Sequence, residues 1–335
     1  MVNTLRSLAL LVAGALISVV ISLYASLLME YSLLVLTIFL ILIVLFLLYG
    51  FGVLSPIRLI DEFRRKYLTP KVGILNDMGW NPENKEIYTG TDVSLEDWKN
   101  ELEKVAKDNG IKIKVKFINA NDRFDPFIAV INPYGGVYPE FDLKNFKTMN
   151  KMLSYMNEGG LFVNVADIPG YFACNPSIKP WRKIDTALRE APYAYKVLPN
   201  GLIIPIKRFP LFELTPFTRE LGVDVYKIED SPIFNWGVLE FEKEFENISS
   251  GNIEVKVHRA AVCKDYLTPI IKPKEVELGP QFRINATPLF FVKYGDNDGK
   301  ILISLIFENY SQNSKMKEVI AKTIIKLIRE KKQKR

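Results

Sequence analysis

Histidine and cysteine are nearly missing from this chain: one His and two Cys stand in 335 residues. Cys174 and Cys263 form no metal-binding motif, and nothing requires them to pair. The lone His258 falls in the middle of Ile253 to Cys263, which reads as a strand, and a strand histidine is more often packed or surface-exposed than catalytic. A broad basic face is also lacking. The net charge is +6, but Lys315 to Arg335 holds nine Lys or Arg against two acids, Glu318 and Glu330. The rest of the chain is close to neutral, which is not the footprint of a nucleic-acid binder. Leu8 to Leu28 and Leu33 to Leu54 are apolar runs without a charged residue. That argues against a proton relay, ion pathway or transporter made by this chain alone.

Those two runs are each long enough to cross about 30 Å of hydrocarbon as a helix. Only Met29-Glu30-Tyr31-Ser32 joins them, so residues 1–54 are expected to form a two-helix transmembrane hairpin. A cleaved signal peptide is the alternative for the first run. Gly14, Ser18, Ser22 and Ser26 make a ridge of small residues suited to close helix packing, within the chain or with another membrane subunit or copy. Arg58, Arg64, Arg65, Lys66 and Lys71 follow the second run, and this positive bias predicts both ends in the cytoplasm; an extracytoplasmic domain is the alternative. A juxtamembrane linker, 55–70, with a surface helix over Ile57 to Tyr67, completes the expected anchor, whose partner is the lipid bilayer.

Lys71 to Asn76 reads as the first strand of one α/β domain spanning 71–335. Phe127 to Ile131, closed by Asn132, is an apolar strand, followed by the turn Pro133-Tyr134-Gly135-Gly136. A helix over about Leu143 to Asn157, the pair Gly159-Gly160 and the run Leu161 to Asp167 complete a βαβ pattern. Ligands in parallel sheets bind beyond the carboxyl ends of the strands, so the Gly-Gly turn and Asp167 mark the expected site. Nine of the nineteen prolines lie in 168–232 among many aromatics, an insertion of the lid or partner-surface kind. Pro288 to Lys293 and Lys300 to Phe307 are expected to pair as a hairpin across Tyr294 to Gly299. A final helix from about Ser314 has one apolar face and one lysine face.

This order of elements, with the hairpin PLFFVKYG and GKILIS before the last helix, resembles the class I glutamine amidotransferase-like superfamily. Its noncatalytic or trehalose-utilisation-like branches are the most similar in pattern. The resemblance implies a flavodoxin-like three-layer α/β/α domain with a mostly parallel sheet. The family's catalytic cysteine would stand at the turn Ala166-Asp167-Ile168-Pro169-Gly170, which has none, and Phe307-Glu308-Asn309 replaces its His-Pro-Glu. Without a thiolate and a positioned base, glutamine hydrolysis has no activated nucleophile.

The polar set expected at the strand ends is Asn76, Asp77, Asn132, Tyr134, Gly135, Gly136, Asp167, Glu308 and Asn309. The carboxylates Asp77, Asp167 and Glu308 are of the type that binds a cation, holds a sugar or forms an acid-base pair; turns also favour such residues for their own sake. The leading expectation is a membrane-anchored, noncatalytic domain that binds a small polar ligand or acts as a scaffold in a membrane assembly. A hydrolase or carbohydrate-active enzyme using those carboxylates, and a purely structural membrane subunit, are the competing readings.

Overall fold

The computed structural model describes residues 12, 14–19, 37, 40–44, 69–76, 94–142, 145–170, 172–174, 195–197, 203–205, 212–213, 215–228, 234–249, 251–279, 282–311 and 315–333. The chain divides into two compact units, Met1–Leu68 and Thr69–Arg335.

In the first unit the described residues are helical, and their longest stretches are 14–19 and 40–44. Spanning a bilayer takes about 20 helical residues, and among the described residues no helix is long and apolar enough to cross a membrane. The expected transmembrane hairpin and multi-pass localisation are corrected accordingly, and the charge-based sidedness, which presumed two spans, falls with them. The rest of both apolar runs, and the expected helix from Ile57 to Tyr67, lie outside the described residues.

The second unit is built on a seven-stranded sheet. Its strands are β1 (Lys71–Leu75), β2 (Lys114–Ile118), β3 (Ala129–Asn132), β4 (Leu161–Asn164), β5 (Leu267–Pro269), β6 (Leu289–Tyr294) and β7 (Gly299–Ser304). The spatial order is β5-β6-β7-β4-β3-β1-β2. From β7 to β2 the neighbours are parallel, whereas β6 and β5 run antiparallel at one side. β3 and β4 are buried throughout, as strands covered on both faces must be, and so they are apolar at every position but the last. The edge strand β2 instead alternates and turns Lys114 and Lys116 to solvent, which protects an open edge from pairing with another chain.

Helices α1 (Leu95–Asp108), α2 (Lys147–Asn157), α3 (Pro216–Glu220) and α4 (Met316–Gln333) complete the unit. Trp98 and Leu102 of α1 and Val319, Ile324 and Leu327 of α4 share one core with Val72, Ile131, Val163 and Leu302. Met149, Met152 and Met156 of α2 share the other with Val130, Phe162 and Ile303. Alternating strand residues thus feed opposite cores.

The expected start of α2 near Leu143 moves to Lys147, behind Phe146 in a left-handed conformation with φ 49°. The helix is capped from upstream: the buried Glu140 carboxylate accepts the N–H groups of Thr148 at 3.0 Å, Met149 at 3.2 Å and Asp142 at 3.1 Å. Burial raises its pKa above the ordinary 4.5, and these donors offset only part of that effect. A carboxylate raised on folding contributes stability below its unfolded pKa and loses that contribution as pH rises through the folded value. Wild type is therefore expected to lose stability relative to Glu140→Gln as pH climbs above 4.5. Urea unfolding across pH checks this, and parallel stability curves for the two proteins would contradict it.

Beyond the main sheet the described residues form three more. Lys274–Gly279, Phe282–Thr287, Arg259–Val262, Val225–Lys227 and Phe212–Glu213 form a five-stranded sheet; Phe234–Val238, Glu254–Val257 and Ile306–Ser311 form a three-stranded one. Val137–Pro139, Phe172–Cys174, Ile203–Pro205 and Tyr195–Val197 form the fourth. A mixed α/β fold, with four sheets among the described residues, thus replaces the expected flavodoxin-like three-layer sandwich. Short connections, such as that between Gly279 and Phe282, force antiparallel pairing, since a parallel pair needs a long crossover. The single strand expected over Ile253 to Cys263 is two: the chain bends at His258, and the halves join different sheets. Most of the proline-rich stretch 168–232 lies outside the described residues.

Candidate functional site

Adjacent parallel strands β3 and β4 both end on asparagine, and Asn132 and Asn164 are register partners. Side chains at one register position leave the sheet on the same face, which brings the two buried amides together. Asn132 Nδ2 donates to Asn164 Oδ1 at 2.9 Å and to the Gly135 carbonyl at 3.1 Å, and Asn132 Oδ1 accepts the Tyr134 N–H at 3.3 Å. Asn164 Nδ2 donates onward to the carbonyls of Ala166 at 3.2 Å and Asp167 at 3.1 Å. Buried amides must find partners, and here they fold the two loops beyond the strands back onto the strand ends.

The second loop is strained. Ala166 and Asp167 have φ of 56° and 60°, a left-handed conformation that costs an L-residue about 1–2 kcal/mol. Such strain persists only where the surroundings over-determine it, and it clusters at ligand sites. Three restraints act on this turn. Asn164 holds both carbonyls. Asp167 Oδ1 accepts the Ile168 N–H at 2.8 Å and Arg259 Nη1 at 3.0 Å. Thr215 Oγ1 donates to the Pro169 carbonyl at 2.7 Å while capping α3 through the Thr218 N–H. Arg259 belongs to the five-stranded sheet, so its ion pair with Asp167 ties that sheet to the main one.

Thr215 therefore restrains a helix end and the strained turn together. Thr215→Ala is expected to lower stability by about 1–2 kcal/mol, the upper range for a lost cap. Thermal unfolding measures this, and an unchanged midpoint would contradict it.

The structure brings Asn132, Tyr134, Gly135 and Asp167 into this network, and Gly136 continues the same turn. Asn76 follows β1, with an exposed side chain and an N–H that donates to the Ile118 carbonyl. Asp77 lies outside the described residues. Glu308 and Asn309 fall within the strand Ile306–Ser311 of the three-stranded sheet. Of the three carboxylates expected to converge, Asp167 is the one whose side chain is described. Two network members escaped sequence reasoning. Asn164 had a usable signal, a polar residue at the same end of two apolar strands, whereas Arg259 lies 92 positions from Asp167 with no local mark.

Asp167 Oδ1 is engaged by a backbone donor and a guanidinium, which suits a fixed acceptor more than a base or nucleophile. Burial, reinforced by Glu242, pushes the Cys263 thiol up to about 11, so it is protonated at neutral pH and a poor nucleophile. Among the described residues no group of three or more His, Cys, Asp or Glu is placed to hold a metal ion.

No protein-family model matches the chain, and no curated protein matches it. Solved structures do match, distantly. The β-galactosidase from Bacillus circulans sp. alkalophilus is 9% identical with a TM-score of 0.43, over 79% of this chain and 31% of that one. The cold-adapted β-galactosidase from Rahnella sp. R3 is 12% identical with a TM-score of 0.40, over 78% and 31%. PurLQS from Thermotoga maritima is 10% identical with a TM-score of 0.34, over 78% of this chain and 100% of that one. The chain spans about a third of the length of the two β-galactosidases. Likeness this distant decides neither family nor activity. The expected membership of the amidotransferase-like superfamily, and of its noncatalytic or trehalose-utilisation-like branches, is corrected: matches spread over unlike proteins support no single superfamily.

Proposed function

We propose that the unit Thr69–Arg335 binds a small polar ligand at the carboxyl ends of β1, β3 and β4, without converting it. The observation that carries this reading is the strained Ala166–Asp167 turn, held by Asn164 and Arg259. It stands where open α/β sheets receive their ligands. The parallel strands deliver the loop Tyr134–Gly136, the Asp167 turn and Asn76 to the same edge. The Asn132–Asn164 bond joins the first two into one rigid platform, and pre-organised groups bind with less ordering cost. The noncatalytic half of the proposal rests on the engaged Asp167 carboxylate and the protonated Cys263 thiol.

The test is thermal unfolding of the full-length chain against a panel of sugars, polyols, amino acids, dicarboxylates and phosphate. At least one compound is expected to raise the melting temperature, and Arg259→Met is expected to abolish that rise. A panel without effect, or a rise identical in the variant, would overturn the site. Turnover of a chromogenic glycoside or ester, lost in Asp167→Asn, would overturn the noncatalytic half.

A further inference from the structure

We infer that the edge of the main sheet at β2 is a docking surface for an extended acidic segment of a partner protein, which adds to the sheet as one more strand.

β2 closes the strand order of the seven-stranded sheet, where its neighbour is β1. The Lys114 N–H donates to the Pro70 carbonyl, and the Ile118 carbonyl accepts the Asn76 N–H, so these positions turn their backbone groups toward β1. Along a strand the alternate positions, here Val115 and Phe117, turn theirs outward. Among the described residues no strand meets them. An edge of this kind is a template for another strand, and strand addition is a recurrent mode of peptide capture.

The side chains decide which strand fits. Lys114 and Lys116 are exposed on one face of β2, and the register partner of Lys114 on β1 is Lys71. Neighbouring strands stand about 4.8 Å apart, so Lys71 and Lys114 set like charges side by side, a destabilising arrangement. Lys112, also exposed, precedes the strand. Among the described residues none of these four lysines has an acidic partner, whereas Lys99, Lys322 and Lys326 each have one. Edge protection accounts for lysine on β2, but not for Lys71, which stands on an interior strand. Carboxylates on an added strand would relieve the repulsion and pair the cations. On the opposite face Val115 is buried, and Ile113 and Phe117 are partly buried against the core, which calls for apolar residues on that side of the newcomer. The fitting segment therefore alternates Asp or Glu with apolar residues. The same lysines turn away basic strands, β2 of a second copy included, so one device both blocks and selects. A nucleic acid or an anionic lipid surface would meet the lysines but leave the outward N–H groups unused.

The test titrates isotope-labelled full-length protein with a short peptide alternating glutamate and valine, and with a control of equal composition whose glutamates form one block. Amide exchange and the fluorescence polarisation of the labelled peptides are followed. The alternating peptide is expected to bind more tightly than the control and to slow exchange of the Val115 and Phe117 amides, while the Lys114 amide, already bonded, stays as it was. In the double variant Lys114→Glu, Lys116→Glu that peptide is expected to bind about tenfold more weakly, as two exposed attractions become repulsions. A peptide alternating lysine and valine is expected to bind the variant in its place. No binding of the alternating peptide, or equal binding of the control without protection at Val115 and Phe117, would overturn the proposal. So would a single-stranded oligonucleotide or phosphatidylglycerol vesicles binding more tightly than the alternating peptide. Protection of those amides that grows with protein concentration alone would show the edge taken by a second copy, and would also overturn it. If the double variant does not fold, the wild-type exchange pattern with the two peptides still decides.

Discussion

Asp167→Ala is expected to lower the unfolding free energy by about 3–5 kcal/mol, the scale for removing one member of a buried ion pair. The Asp167 and Arg259 side chains are only 8% and 15% exposed, so solvent screens their attraction little. The substitution also removes the acceptor of the Ile168 N–H and leaves alanine in a left-handed turn. Asp167→Asn keeps that acceptor and suits that backbone, so it is expected to cost less. Chemical denaturation of Asp167→Ala, Arg259→Met and the double variant measures the coupling. The double variant is expected to be more stable than the sum of the single losses predicts, since neither charge is then stranded. A loss below about 1 kcal/mol for Asp167→Ala, as for an exposed pair, would contradict the buried assignment.

Gly299→Ala is expected to destabilise by about 3 kcal/mol, at the upper end of ordinary overpacking. A Cβ at Gly299 would stand 1.7 Å from the Met156 carbonyl oxygen and 2.6 Å from its carbon. Both are backbone atoms at the carboxyl end of α2, so no rotamer change relieves the clash. The β6–β7 turn must lift away instead, straining the bond from Asn297 Nδ2 to the Asn157 carbonyl. In a unit of this size the melting temperature is expected to fall by roughly 6–12 °C. Gly110→Ala is the contrast: φ is +69° but nothing lies within 4 Å of the added carbon, so only the left-handed penalty of about 1–2 kcal/mol applies. Equal losses in the two variants would show that the close approach to Met156 is not what requires glycine at 299.

The physical signals that reached the sequence were local ones. β3 and β4 are visible because strands buried on both faces are short apolar runs bounded by turn formers. The β6–β7 hairpin is visible because its two runs flank a compact turn, and Leu289 to Tyr294 pair with Ser304 to Gly299 in order. What was hidden is set by distant partners. The cap of α2 comes from Glu140, eight residues before Thr148, and no local capping pattern announces it. The alternation of Ile253 to Val257 stops at the polar pair His258-Arg259, and the two halves of that stretch find different sheets. Reading Leu161 to Asp167 as one strand hid Asn164, whose amide holds the turn that follows.

Two inferences from broad pattern did not survive. Run length and apolarity suggested membrane spans, but no described helix is long and apolar enough to cross a membrane. The order of strands and helices suggested one superfamily, yet order alone is shared by unrelated proteins and carries no function. For the candidate site, Asn132, Tyr134, Gly135 and Asp167 were legible because strand-end chemistry follows from topology. Arg259 was not, because it arrives from another sheet.

Ligand binding at this edge is tested most directly by soaking crystals of the protein with small polar fragments and locating the density. A fragment is expected beyond the ends of β3 and β4, in contact with the Asp167–Arg259 pair or the Tyr134–Gly136 loop. Fragments bound reproducibly at another surface, with this edge empty, would contradict it and leave the ion pair as a brace between two sheets.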